Sequence, residues 1–123
     1  MTTITIKRLS LKQPFANWVA VTGQKSIETR TWGTAYRGDI LICSSLTGSG
    51  EGLRGYALGI VELYDVRPMT IDDEANACIE LFPRAVAWLL RNHRTLAEPF
   101  PLKGSLGLRD LEIDENLLRF IKD

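Results

Sequence analysis

Short stretches with the two-residue alternation of β-strands run through this chain, and turn residues or helical patterns separate them. Segments 26–32 and 56–66 have this pattern, 38–43 is typical of a buried strand, and 106–111 is also expected to be a strand. Strands interrupted by helices favour an α+β fold or a small barrel over a doubly wound parallel sheet. Within 56–66 the alternation places Glu62 among apolar neighbours, so this carboxylate is expected to find a partner or to lie at an edge.

Two helices are expected between these strands. The first begins at Pro14, continues with apolar residues at helical spacing and ends at Gly23. The second is expected from about Ile71 to Leu81, because Thr70 followed by Asp73 is typical of a capping box. These helices would pack against the sheet through their apolar faces.

Three other segments are read from local pattern. Segment 85–90 fits a helix or a strand, and its length does not decide between them. Segment 47–53 is dense in glycine and serine, which is typical of a mobile surface loop. At the end of the chain, Asp114 is expected to cap a short helix whose inward face carries Leu117, Leu118 and Ile121.

Size and composition fit one domain spanning residues 1–123. Fifteen basic and fifteen acidic residues cancel, which argues against a protein that coats nucleic acid or an acidic membrane with its whole surface. A chain of this size can stabilise its core without metals or disulfides, which excludes a disulfide scaffold. Cys43 and Cys78 show no CxxC spacing, so a reducing, cytoplasmic location is expected. The sequence predicts no metal site, no cofactor and no membrane span.

The charges are segregated along the chain. Residues 7–37 carry a net charge of +5, residues 51–83 carry −5, and residues 84–109 carry +4. If the two basic segments meet in space, they would form a positive cleft that attracts a phosphate-bearing ligand. The alternative is that these charges form an ordinary solvated surface.

The densest group of polar side chains follows the first expected helix. Lys25 leaves from the turn after Gly23, and Glu28 and Arg30 project from one side of the following strand. A guanidinium binds a phosphate with two hydrogen bonds, and a desolvated lysine loses its proton more easily. Binding and catalysis both remain open here, as does simple pairing of Glu28 with Arg30.

The stretch LSLKQPFANWVAVTGQKSIETRTWGTAYRGDILICSS resembles the N-terminal motif of the ASCH (activating signal cointegrator homology) family, a branch of the PUA-like superfamily. Its GxKxxExR signature is present as Gly23, Lys25, Glu28 and Arg30. The resemblance continues in ALGIVELYDV and PFPLKGSLGLRDL. It implies a PUA-like β-barrel flanked by short helices and favours a strand at 85–90.

The resemblance also implies a cleft beside the barrel. Lys25, Glu28 and Arg30 would line it, with Gln13 on the opposite side. Further candidates for contacts with a ligand are Trp32, Tyr36, Arg37, Ser44 and Ser45. Aromatic side chains stack on bases in single-stranded nucleic-acid sites, although aromatic residues beside a strand are more often part of the core.

Two functions follow from this interpretation. The first is a module that binds RNA, single-stranded nucleic acid or a nucleotide, with Lys25 and Arg30 on phosphate. The second is a hydrolase that uses Lys25 and Glu28, acting on a modified nucleoside in the manner of N4-acetylcytidine amidohydrolases or as a ribonuclease. Those amidohydrolases have a threonine where this chain has Glu28, so their threonine mechanism does not transfer. The oligomeric state is not predicted.

Overall fold

The computed structural model describes residues 2–121. Its elements in chain order are β1 (Thr3–Gln13), α1 (Phe15–Ala20), β2 (Ile27–Arg30), β3 (Gly38–Gly48), β4 (Tyr56–Pro68), α2 (Glu74–Ala77), β5 (Val86–Pro101) and β6 (Arg109–Asp114). Single 3-10 turns lie at Ile71–Asp73 and Glu115–Leu117. Long strands with few short helices confirm the α+β class.

The strands form one mixed sheet in the order β2-β5-β4-β3-β1-β6. β1 and β3 are parallel, and the other neighbours are antiparallel. After β1 the chain forms α1 and then β2, which lies at the other edge of the strand order, before β3 pairs alongside β1. Among the described residues β2 and β6 do not pair with each other, so the backbone ladder stays open between them.

The opening matters because β1 is longer than its pairing with β6. That pairing ends at Arg8, opposite Arg109, so 9–13 has no partner strand on this side. The outer edge of β2 faces the same region, since the Arg30 guanidinium reaches the carbonyl oxygen of Ser10. The two unpaired edges therefore border an opening in the sheet.

Helix α1 covers one face of the sheet. Its buried residues Ala16, Val19 and Ala20 join a core that includes Trp88 from β5. The indole nitrogen of Trp88 donates to the Trp32 carbonyl oxygen at 3.1 Å, which satisfies the polar atom of this fully buried side chain. This bond holds the segment after β2 against β5, and the Thr95 hydroxyl of β5 donates to the Ala20 carbonyl oxygen at the end of α1 at 2.8 Å.

Several predicted elements have different bounds in the structure. Segment 85–90 lies mostly in β5, as the resemblance implied, but β5 continues to Pro101. The helix expected over 71–81 is wrong beyond Ala77, because Cys78 takes a left-handed conformation (φ 56°) that ends α2. Strand β6 begins at Arg109 rather than at residue 106, and the last helix is a single 3-10 turn. β1 was not anticipated.

Other local expectations are confirmed. The capping box is present, since the Thr70 backbone N–H donates to the Asp73 carboxylate at 2.8 Å. The Asp114 carboxylate accepts from the backbone N–H of Asn116 at 3.0 Å. Glu62 has both of its partners in β5, as it accepts from Arg91 and Asn92 at 2.9 Å each.

No helix within residues 2–121 is long and apolar enough to cross a membrane. This finding concerns the helices of that part of the chain.

Gly59 lies where the end of α1 packs closely on the sheet. A Cβ at this position would lie 2.6 Å from the Arg94 carbonyl oxygen and 3.0 Å from the Ala20 carbonyl oxygen. Both are backbone atoms, so neither can move aside without shifting a strand or the end of α1. The absence of a side chain at Gly59 therefore sets how closely α1 packs.

We expect Gly59→Ala to lower the free energy of unfolding by about 1–3 kcal/mol, because overpacking forces backbone shifts. Urea denaturation measures this change. Gly104→Ala is the matched control: its added Cβ would have Ser10 Oγ at 3.8 Å as its nearest contact, and no positive φ is involved. Equal stability of the two variants would contradict the packing argument.

Candidate functional site

A cleft of about 360 Å³ lies at the opening of the sheet. One wall comes from β1 and the end of β3, the other from the turn before β2 and from β2 itself, and the loop 102–108 closes one end. The residues that line it are Ser10, Leu11, Lys12, Phe15, Lys25, Glu28, Thr29, Arg30, Ser45, Thr47, Ile79, Ser105, Leu106 and Gly107. We refer to this space as the cleft.

Lys25 lies at the base of the cleft and is 3% exposed. Its ammonium donates to the carbonyl oxygen of Ala77 and lies 3.8 Å from Glu28 Oε1. The same nitrogen is 5.1 Å from the centre of the Phe15 ring. Burial lowers the pKa of Lys25 below its usual value, although the Glu28 carboxylate acts in the opposite direction.

Glu28 and Arg30 form the second pair of the site. Glu28 Oε2 lies 3.0 Å from Arg30 Nη2, and Glu28 is 7% exposed. Arg30 Nη2 also donates to the Ser10 carbonyl oxygen at 3.3 Å. The structure thus brings Lys25, Glu28 and Arg30 together, and Arg30 spans the opening between β2 and β1.

Gln13 and Ser44 do not line the cleft. The Gln13 amide donates to Asn17 Oδ1 and to the Leu53 carbonyl oxygen, and it accepts from the Asn17 backbone N–H. Ser44 is fully buried, and its hydroxyl is engaged by the backbone of Tyr56. Both side chains hold the neighbouring chain in place, whereas Ser45 does line the cleft.

Trp32, Tyr36 and Arg37 also lie outside the cleft lining. The Trp32 ring meets the Trp88 ring edge to face at 4.9 Å. The Tyr36 hydroxyl donates to the Asp39 carbonyl oxygen at 2.7 Å. Arg37 is exposed and donates to the carbonyl oxygens of Thr34 and Tyr36. Their role in binding stays a prediction.

Several lining residues were absent from the sequence prediction. Ser10 and Lys12 fall on the same face of β1, an alternation that would have been informative had this strand been recognised. Ser105 lies in the loop 102–108, and its backbone N–H donates to Ser10 Oγ at 3.2 Å. No local pattern joins positions so distant in sequence.

Among residues 2–121, no group of three or more histidine, cysteine, aspartate or glutamate side chains is arranged to hold a metal ion. Arginine, lysine and hydroxyl groups dominate the polar lining of the cleft. Such groups bind anions and donate hydrogen bonds to oxygen.

A family model described as "ASCH domain" matches residues 9–100, which is more than half of the chain. The match includes both walls of the cleft, but not the loop 102–108. The chain belongs to the ASCH domain family.

Solved structures of an ASCH protein from Zymomonas mobilis have a similar fold. The structure of that protein matches with a TM-score of 0.68 at 18% identity, covering 90% of this chain and 89% of that one. Two of its single-substitution variants match with TM-scores of 0.64 and 0.63, also at 18% identity. They cover 85% of this chain and 88% or 87% of their own. A search of curated proteins gave no match.

These likenesses confirm the PUA-like α+β fold. The strand order places two unpaired strand edges beside the GxKxxExR signature.

The arrangement of Lys25, Glu28 and Arg30 predicts unequal effects of removing its members. We expect Glu28→Gln to lower the free energy of unfolding by about 3 kcal/mol, because the buried Lys25 and the neighbouring Arg30 then lose their common counter-charge. Lys25→Met should cost about 1–2 kcal/mol, since the Glu28–Arg30 pair survives and only the Ala77 carbonyl loses its donor.

Urea denaturation at neutral pH measures both changes. The double variant Lys25→Met/Glu28→Gln tests the coupling, and its cost should fall below the sum of the two single costs. Equal costs for the single variants, or the reverse order, would show that Glu28 does not hold the cluster together.

Proposed function

We propose that this ASCH domain binds single-stranded RNA or a nucleotide in the cleft. The observation that carries the proposal is the charge of the lining: Lys12, Lys25 and Arg30 against the single carboxylate of Glu28. Such an excess of cations attracts phosphate even on a chain whose net charge is zero. Membership of a family whose domains in general bind RNA supports the same conclusion.

The cations differ in how well a ligand can reach them. Lys12 is exposed and makes no ion pair among the described residues. The Arg30 side chain is 23% exposed, whereas Lys25 is buried at the base. We therefore assign the phosphate contacts to Lys12 and Arg30, and to Lys25 the task of holding Glu28 and adding charge beneath the ligand.

The apolar lining would receive the base. Phe15 lies beside Lys25, while Ile79 and Leu106 contribute exposed apolar side chains to the lining. A base packed against this surface is stabilised by stacking and burial, whatever the identity of the base. The volume of the cleft is at the lower end of the range typical of small-ligand sites, which suits one nucleotide better than a duplex.

Fluorescence polarisation with a labelled single-stranded RNA of mixed sequence, at several salt concentrations, tests this proposal. We expect Lys12→Ala to weaken binding and to reduce the slope of log K against log[salt] by about 0.7, the value of one phosphate contact on a single strand. Arg119→Ala is the control, because it removes an exposed cation outside the cleft. Equal slopes of log K against log[salt] for the two variants would show that RNA binds outside the cleft.

A second candidate function is hydrolysis, of N4-acetylcytidine or a related modified nucleoside, or of RNA itself. The observation that favours it is the lowered pKa of Lys25, whose nitrogen faces the Glu28 carboxylate at the base of the cleft. A lysine that loses its proton more easily than usual serves as a general base. Glu28 would then stabilise the protonated lysine.

If this domain is a hydrolase, the initial rate should rise with pH through a pKa below 10.5, since neutral Lys25 is the active form. Incubation with N4-acetylcytidine, and separately with RNA, measures product formation. Lys25→Met should abolish turnover, and Arg119→Ala should leave it intact. Salt-sensitive binding of RNA without turnover in the unmodified protein would exclude hydrolysis and support the binding function.

We also propose a single domain in a cytoplasmic setting. The support is one continuous sheet through the described residues and two free cysteines, Cys43 and Cys78.

A further inference from the structure

One end of the cleft holds more hydrogen-bond donors than the protein itself uses. Ser10, Ser105 and Arg30 meet there: the Ser105 backbone N–H donates to Ser10 Oγ, and Arg30 Nη2 donates to the Ser10 carbonyl oxygen. Arg30 Nε and Ser105 Oγ have no hydrogen-bond partner, although both atoms are buried. Buried donors without partners are rare in folded proteins, so these two groups are candidates to donate to an oxygen atom of a ligand.

A buried cation lies behind this end of the cleft. Arg8 is 6% exposed and makes no ion pair with any carboxylate among residues 2–121. Its guanidinium donates to the Lys103 carbonyl oxygen and reaches Ser10 Oγ at 3.5 Å, while its Nε has no partner. Buried charges are normally paired, so an anion bound near Arg8 would be stabilised by its positive charge.

The charge balance at this end is therefore more positive than the lining alone indicates. Arg8, Lys12, Lys25 and Arg30 face the single carboxylate of Glu28. A phosphodiester within an RNA strand brings one negative charge and two free oxygens. A terminal phosphate monoester brings a charge between −1.5 and −2 near neutral pH, and three acceptor oxygens. The two hydroxyls of Ser10 and Ser105 and the Arg30 guanidinium provide three donor groups, one for each acceptor oxygen of the monoester.

We propose, on the basis of the proposed RNA or nucleotide binding, that the cleft recognises a terminal phosphate monoester, with Ser10, Ser105 and Arg30 donating to its oxygens and Arg8 balancing its charge from behind. The ligand class is then a nucleoside monophosphate or the phosphorylated end of an RNA strand. An internal segment of the strand fits less well, because its phosphates are diesters.

The loop 102–108 controls access to these donors. Ser105 and Lys103 connect it to β1 through the contacts with Ser10 and Arg8. Arg30 Nε and Ser105 Oγ are shielded from solvent, so this loop has to shift slightly before a phosphate oxygen reaches them. Gly104 and Gly107 lie on either side of Ser105 and Leu106, and backbone rotation at glycine is sterically inexpensive.

The test compares two single-stranded RNA oligomers that differ only at the 5′ end, one phosphorylated and one with a free hydroxyl. A third oligomer carries a 3′ phosphate. Fluorescence polarisation at fixed salt gives the ratio of Kd for the unphosphorylated oligomer to Kd for each phosphorylated one. We expect a ratio of about 10 or more for one of the two ends, since charge-assisted hydrogen bonds are the strong ones.

Arg30→Lys keeps the charge but removes the Nε donor, so the ratio should fall to about 2 or less. Ser10→Ala provides a second variant in case Arg30→Lys does not fold, and it should also lower the ratio. Arg119→Lys is the control outside the cleft and should keep the ratio of the unmodified protein.

The possible results separate the two proposals. A ratio near 1 for both ends, with salt-dependent RNA binding that still responds to Lys12→Ala, would overturn the terminal-phosphate inference and leave the RNA-binding proposal standing. If folded protein bound none of the three oligomers and no labelled nucleoside monophosphate, both proposals would be overturned. A high ratio that Arg30→Lys and Ser10→Ala leave unchanged would place the phosphate elsewhere and overturn the inference.

Discussion

The Glu28 carboxylate, held between the Lys25 ammonium and the Arg30 guanidinium, is the interaction on which the cleft depends. Glu28 and Lys25 are both nearly inaccessible to water, so the buried ammonium depends on the Glu28 carboxylate, while the carboxylate is balanced by Lys25 and Arg30 together. Arg30 completes the balance and contacts the Ser10 carbonyl oxygen across the opening of the sheet. One carboxylate thereby positions the cation that joins β2 to β1 where no backbone pairing joins them.

The cleft exists because the sheet stays open at that place. β6 pairs with the first half of β1 and then stops, which leaves the second half with an edge that faces β2. Unpaired strand edges expose backbone groups, and proteins usually cover or charge them. Here charged and hydroxyl side chains cover the edges, so the same residues protect the fold and line the cleft.

The part of this architecture that depends on nearby residues could be predicted from the sequence. The turn at Gly23 and the alternation that follows placed Lys25, Glu28 and Arg30 on one structural unit, and the structure brings them together. The helix expected to reach Leu81 stops early, because Cys78 adopts a left-handed conformation that local propensity does not reveal. Gln13 lies in the family motif, yet its amide is fully used by Asn17 and Leu53. The Ser10 and Ser105 side of the cleft was missed because only tertiary packing unites them.

That last contact bears on when the cleft becomes complete during folding. Ser10 and Ser105 are separated by 95 positions, and β1 pairs with β6 over a similar span. Contacts so distant in sequence form late in folding, after loop-closure entropy has been overcome. A nascent chain emerging from the ribosome would carry the complete signature while the loop 102–108, which closes one end of the cleft, is still unsynthesised. The cleft is therefore complete only in molecules whose β6 and loop 102–108 have folded against β1.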